Sequence, residues 1–296
     1  MISKKALLIA ALCLLLSSCA QKQAEPDKAE QTPPAAGQTV PANNLSGGEA
    51  GGTPTDKEES PPQTGEPGKP NVGKAEEMEP PALLYHIDKA YNVKPNEDAT
   101  EKKVVLLTFD DGPKEKEMIE GLIDTLDKHQ AKAIFFVNGY RVKENPDLLT
   151  LIHERGQIIG NHSWDHIDLK KESAASARKQ VEDVQNIVEE TIGERPRFFR
   201  PPFGSGNDRL HKIVEENGMI YMTWSNGSLD WDSKNKNKPG AVIQNVLDQL
   251  HAGSNILMHE LPWTVEALDE LLTKLEAKGY GFVDPRSIGD KPAASQ

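Results

Sequence analysis

The chain has 296 residues, a length that allows one or two domains. Only 36% of it is apolar and its formal net charge is −12, a balance that argues against a nucleic-acid partner. Part of that charge is local: residues 20–100 carry 7 Lys against 14 Asp and Glu, so acidity speaks to solubility more than to partners.

Residues 1–19 open with Lys4 and Lys5, continue through the apolar run Ala6–Leu16 and end in Leu16-Ser17-Ser18-Cys19. This is the pattern of a secretory signal, too short to span a bilayer comfortably. The Leu-Ser-Ser-Cys ending resembles the bacterial lipobox. That resemblance implies lipidation of Cys19 and a lipoprotein held outside the cytoplasm; an ordinary signal with an incidental cysteine is the alternative. The other cysteine, Cys13, lies inside the apolar run, so nothing downstream forms a disulfide or offers a thiol nucleophile. Residues 20–80 are rich in Pro, Gly, Glu, Gln and Thr and lack large apolar side chains, which predicts a disordered linker. As a flexible coil it reaches roughly 45 Å, enough to hold a domain away from a membrane. Residues 81–101 regain some apolar content (Leu83, Leu84, Tyr85, Ile87) as a lead-in whose packing the sequence does not decide.

From 102 to 285 short apolar runs alternate with amphipathic stretches, the signature of repeated β-α units; residues 286–296 read as a tail. Strands are expected over 103–108, 133–137, 157–160, 197–200, 220–223, 254–258 and 281–283. Helices are expected over 115–129, 146–155, 172–192, 207–217, 240–251 and 264–278. Asn145-Pro146 is a good helix start, and Gly193, Gly218 and Gly279 stand where helices stop. The class is α/β, a distorted (β/α) barrel of about seven strands, short of the usual eight.

Polar residues gather at the ends of these strands, where α/β folds build their sites. The first strand runs into Thr108-Phe109-Asp110-Asp111-Gly112-Pro113. Two adjacent carboxylates repel unless a cation or an arginine accompanies them. The third strand leads into His162-Ser163-Trp164-Asp165-His166, whose two histidines share a face if the segment is helical. Together these residues offer a two-His, one-carboxylate metal set with open positions. Zn²⁺ suits it, and Co²⁺, Mn²⁺ or Ni²⁺ is not excluded. The fourth strand ends in Arg200-Pro201-Pro202-Phe203-Gly204, with an arginine that can steady an ionised acid. Asp230-Trp231 follows the fifth, and the sixth ends in Leu257-Met258-His259, where a general acid would stand. Trp164 and Trp263 are candidates for sugar contacts or, equally, for packing. The remaining histidines are assigned no function.

In this order, Thr108–Pro113, His162 with His166, Arg200–Gly204, Asp230-Trp231 and Leu257 with His259 resemble the five motifs of the polysaccharide deacetylases. This is carbohydrate esterase family 4, the NodB-like domain. The resemblance spans about 102–285. It implies Asp111, His162 and His166 as metal ligands and Asp110 as general base, held by Arg200. It implies His259 as general acid tuned by Asp230, Leu257 and Trp231 as walls of an acetyl pocket, and a backbone N–H near Phe203 as oxyanion donor. One departure is visible: members often carry an acid three residues before the Asp-Trp pair, where Gly227 stands here. Asp-Asp-Gly-Pro leans toward N-acetylglucosamine rather than the muramic residue. The implied activity is metal-dependent N-deacetylation of an extracytoplasmic polysaccharide by a monomer with a lipid anchor. Peptidoglycan comes first; chitin-like oligomers, poly-N-acetylglucosamine and acetylated xylan are alternatives. A carbohydrate-binding lipoprotein without turnover is the alternative of another class.

Overall fold

The computed structural model describes residues 82–290. The leader over 1–19 with Cys19, the linker over 20–80 and the last six residues of the tail lie outside the described residues.

The described chain begins with a two-stranded antiparallel hairpin, β1 (Tyr85–Ile87) and β2 (Val93–Pro95). The parallel strands follow: β3 (Val104–Gly112), β4 (Ala133–Val137), β5 (Ile158–Asn161), β6 (Phe198–Phe199), β7 (Ile220–Tyr221), β8 (Asn226–Gly227), β9 (Ser254–His259) and β10 (Gly281–Phe282). Seven of them run in the order β7-β6-β5-β4-β3-β9-β8, and β10 pairs with the first residues of β3. This is the expected β/α barrel short of one unit, a curled half-barrel of parallel strands. Residues 222–225 carry the chain from one edge strand, β7, straight to the other, β8, and bond across to β6 and β9.

Outside the sheet lie α1 (Lys116–Lys128), α2 (Gly139–Glu144), α3 (Pro146–Glu154), α4 (Ala174–Ile192), α5 (Asp208–Glu216), α6 (Pro239–Asp248) and α7 (Pro262–Ala277). Ser173 caps α4 by accepting from the Ser176 N–H, and Gly193 stops it with φ 79°, a left-handed conformation that glycine adopts without strain. Besides the hairpin strands β1 and β2, an α-helix and a parallel strand escape the sequence reading. Helix α2 is six residues long, too short to show a period, and β8 is a two-residue strand inside a polar stretch.

The period of two along β3 explains how one strand serves both a core and a site. Val105, Leu107 and Phe109 pack outward with Ile119 and Leu122 of α1 and Leu268 and Leu271 of α7. Val104 and Leu106 turn inward to Ile134, Phe136, Phe198 and Met222. Each of these fully buried side chains contributes roughly 1.5–3 kcal/mol of burial free energy. Strand β9 alternates in the same way, sending Ile256 and Met258 outward.

The lead-in does pack. Tyr85 and Val93 are buried against Val104, Leu106, Val283 and Ile288, and the Val93 N–H donates to the Gly253 carbonyl just before β9. Residues 287–289 bond to both sides of β1, through the Leu84 N–H to Ser287 and the Gly289 N–H to Tyr85. The hairpin thus lies at the amino ends of the central strands.

Candidate active site

At the carboxyl ends of β3, β5, β6 and β9, inward-facing positions carry polar groups instead of apolar ones. Asp110 and His259 are register partners on β3 and β9. A regular strand would send Asp110 and Asp111 to opposite faces. Here the pairing with β4 slips between Asp110 and Gly112, leaving Asp111 as an extra residue with φ 68°. Such a bulge re-aims a side chain, and it brings both carboxylates into one cleft.

Oδ1 of Asp111 stands 3.4 Å from Nε2 of His162 and 3.1 Å from Nε2 of His166. His162 donates its Nδ1–H to the Arg200 carbonyl at 2.7 Å, which leaves Nε2 of the neutral ring as a bare acceptor. Oδ1 of Asp111 is buried without a hydrogen-bond donor. One ligand atom from each of the three residues lies within 4.8 Å of the others. Convergence of acceptors without a donor fits a divalent cation, and two imidazoles with one carboxylate suit a transition metal. Burial acts to raise the Asp111 carboxyl, and without an ion only protonated His162 and His166 would outweigh it and hold it below the usual carboxylate range. The His162–His166 segment is a loop, not a helix, with left-handed Ser163 and His166. The ring of His166 meets that of Phe203 edge to face at 4.8 Å.

Beside this set, Arg200 Nη1 donates to Oδ1 of Asp110 at 2.7 Å and to Thr108 Oγ1 at 2.7 Å. The guanidinium also donates to the Thr223 carbonyl and to Asn255, and it lies over the Phe136 ring at 4.3 Å. Oδ2 of Asp110 remains 3.7 Å from His162 Nε2. Across the cleft, Asp230 Oδ1 stands 2.7 Å from Nδ1 of His259, while Oδ2 accepts from the His259 N–H and from Thr264. Burial acts to lower the His259 pKa, yet the hydrogen bond and charge of Asp230 win and raise it. Burial raises Asp230, and its bonds to His259 more than reverse this. The cleft has a volume of about 350 Å³. Asp110, Asp111, His162, His166 and His259 reach into it, and Phe203, Trp231 and Leu257 line its sides. Phe203 and Trp231 are exposed.

A family model for polysaccharide deacetylase matches residues 97–222. Peptidoglycan-N-acetylmuramic acid deacetylase PdaC of Bacillus subtilis is 36% identical over 214 residues, 72% of this chain and 43% of PdaC. The solved structure of PdaC superposes with a TM-score of 0.55 at 36% identity, covering 62% of this chain and 87% of the solved one. The chain belongs to the polysaccharide deacetylase family.

Two more relatives frame this deacetylase domain. Peptidoglycan-N-acetylglucosamine deacetylase PgdA of Listeria monocytogenes is 39% identical over 186 residues, 62% of this chain and 38% of PgdA. BA3943 of Bacillus anthracis, described as a pseudoenzyme of carbohydrate esterase family 4, matches at 34% identity with a TM-score of 0.58, covering 61% of this chain and 63% of it. This chain therefore spans about two fifths of the full length of PdaC and PgdA.

The fold also recruits residues to which the sequence reading assigned no role. Trp224 and Pro201 line the cleft. Thr108 and Thr264 complete the hydrogen bonding of the Arg200 and Asp230 networks. Glu260 is 1% exposed beside the Asp111 bulge, and burial pushes its carboxyl up to about 7 against Lys114 and Arg141. Neither Trp164 nor Trp263 lines the cleft. Trp164 packs on the Cα of Gly139, and Trp263 donates Nε1–H to the Asp230 carbonyl.

Proposed function

We propose that this polysaccharide deacetylase removes N-acetyl groups from N-acetylglucosamine residues of peptidoglycan. The observation that carries the reading is the placement, in one cleft, of two differently held acid–base groups on either side of a three-acceptor metal set. Asp110 is tied to Arg200, and His259 is tied to Asp230.

A divalent ion held by Asp111, His162 and His166, zinc by first preference, would acidify water and polarise the acetamide carbonyl. Arg200 occupies Oδ1 of Asp110 and leaves Oδ2 to take the proton of the attacking water. The Phe203 N–H donates to the carbonyl oxygen as it gains charge. Leu257 and Trp231 enclose the acetyl methyl. Asp230 fixes the His259 tautomer, so that Nε2 delivers a proton to the leaving amine. The C–N bond breaks, and acetate and an amino sugar result.

The peptidoglycan assignment rests on the names of PdaC and PgdA. A cell-envelope lipoprotein anchored at Cys19, with residues 20–80 as tether and a monomeric domain over 102–285, completes the reading. Acetate release from N-acetylglucosamine oligomers and from intact peptidoglycan, measured after chelation and again after adding Zn²⁺, tests it. Activity that vanishes and returns is the expected result. The pseudoenzyme BA3943 gives weight to a second reading, binding without turnover. It requires oligomer affinity with no acetate released under any metal.

A further inference from the structure

Glu260 follows His259 and has no part in the chemistry proposed above, yet its carboxylate is wedged against the segment that presents Asp111. Oε2 accepts the Lys114 N–H at 2.8 Å. Oε1 is buried and has no hydrogen-bond partner. A methyl group on Gly112 would lie 1.9 Å from Oε1 and 2.8 Å from Cδ, so the carboxyl rests directly on the Gly112 Cα. Gly112 is also fixed from its other side, because its carbonyl accepts the Asn138 N–H at 2.9 Å.

These contacts bracket the bulge. Before it, Asp110 is anchored by Arg200; after it, Gly112 is confined between Asn138 and Glu260, and Lys114 is bonded to Glu260. Asp111 stands between the two anchors with φ 68°, a left-handed conformation that few residues other than glycine adopt without support from their surroundings. A relaxed Asp111 would rejoin the regular alternation and withdraw its carboxylate from His162 and His166. Burying a carboxyl there with one oxygen left without a partner costs free energy, which stability alone does not explain.

We infer that Glu260 is a positioning residue that holds the Asp111 bulge, and through it the geometry of the metal set, by pressing on Gly112 and bonding Lys114. The inference rests on the metal reading of Asp111, His162 and His166. Outer groups of this kind typically change metal affinity by about 10–100-fold.

The test is a double-mutant cycle read as zinc affinity by competition with a chromogenic chelator, with no turnover involved. Glu260→Ala is expected to weaken zinc binding at least about tenfold, and Glu260→Gln, which keeps the shape and an acceptor for Lys114, to stay within about threefold of wild type. Gly112→Ala forces a methyl into the carboxyl and should also bind about tenfold more weakly. The double variant Gly112→Ala/Glu260→Ala has no carboxyl to collide with, so it should bind no worse than Glu260→Ala alone, a departure from additivity that only direct contact produces. A purely structural role would lower the Tm of each variant and leave the zinc affinity of the folded fraction unchanged. Wild-type affinity in Glu260→Ala or Gly112→Ala, additive losses in the double variant, or a Gln variant as weak as Ala overturns the inference. If Glu260→Ala does not fold, the Gln and Gly112→Ala variants decide it. Wild-type protein that binds no zinc defeats the metal reading itself, a result distinct from the others.

Discussion

Arg200 and Asp110 form a buried ion pair at 2.7 Å, the arginine fully enclosed inside the half-barrel. Burial lowers the Arg200 pKa and Asp110 opposes it. The donors of the guanidinium divide their partners, since Nη1 orients the acid while Nε and Nη2 hold the Thr223 carbonyl on the segment between the two edge strands. Removing one partner of such a pair costs about 3–5 kcal/mol. Arg200→Ala is therefore expected to lose about that much in urea unfolding. Arg200→Lys keeps a charge but not the fork, and its kcat should drop about 100-fold. An Arg200→Lys enzyme with wild-type kcat would contradict the orienting role.

Asp110 and Asp111 are neighbours with different roles in the proposed mechanism, and the two are separable by experiment. Asp110→Asn should lower kcat about 1,000-fold while zinc affinity stays within about threefold, because general bases contribute 10²–10⁴. His162→Ala should do the reverse and lose metal. Zinc content measured on the purified variants, beside acetate release, checks both.

The pH profile follows from Asp230. His259 must carry a proton to act as acid, and Asp230 raises its pKa, so activity falls as pH rises through that value. Asp230→Asn removes the raising influence, and the basic limb of kcat against pH should move to lower pH. An unmoved basic limb would separate His259 from that limb.

A second histidine gives a prediction about stability alone. His129, at the end of α1, contacts Asp269 at 2.8 Å and Glu276 at 3.0 Å on α7. Burial acts to lower its pKa, but the hydrogen bonds to Asp269 and Glu276 win and raise it. A raised value in the folded state means that the stabilisation is complete below the unfolded pKa of about 6.5 and is lost as pH rises through the folded value. Both carboxylates are about half exposed, so the effect should not exceed about 1 kcal/mol. Urea midpoints of wild type and His129→Ala, compared at pH 6 and pH 9, should differ more at pH 6.

Much of the fold was legible because β-α alternation leaves a periodic trace, and the strand ends were marked by polar residues following apolar runs. The chemistry-bearing residues Asp110, His162, Arg200 and His259 could be placed at strand ends on that basis. The bulge at Asp111 could not, since it is a slip of pairing with β4 and leaves no mark in composition. Glu260 reads as an ordinary acid before a helix, and only the close approach of Gly112 shows what it touches. The histidine pair was compatible with a helix by spacing, but Ser163 and His166 turn left-handed, which tertiary contacts impose and propensity does not foresee. For Trp164 and Trp263 the sequence left cleft contact and packing equally open, and the structure places both in packing.

The hairpin against the amino ends of the strands fixes where the described chain enters the domain. Leu84 and Gly289 are each bonded across to the other end of the described chain, through Ser287 and Tyr85, on the side of the half-barrel remote from the cleft. The described chain therefore enters and leaves the domain on the side opposite the mouth of the cleft. A change in the length of chain before residue 82 would therefore leave every residue that lines the cleft in place.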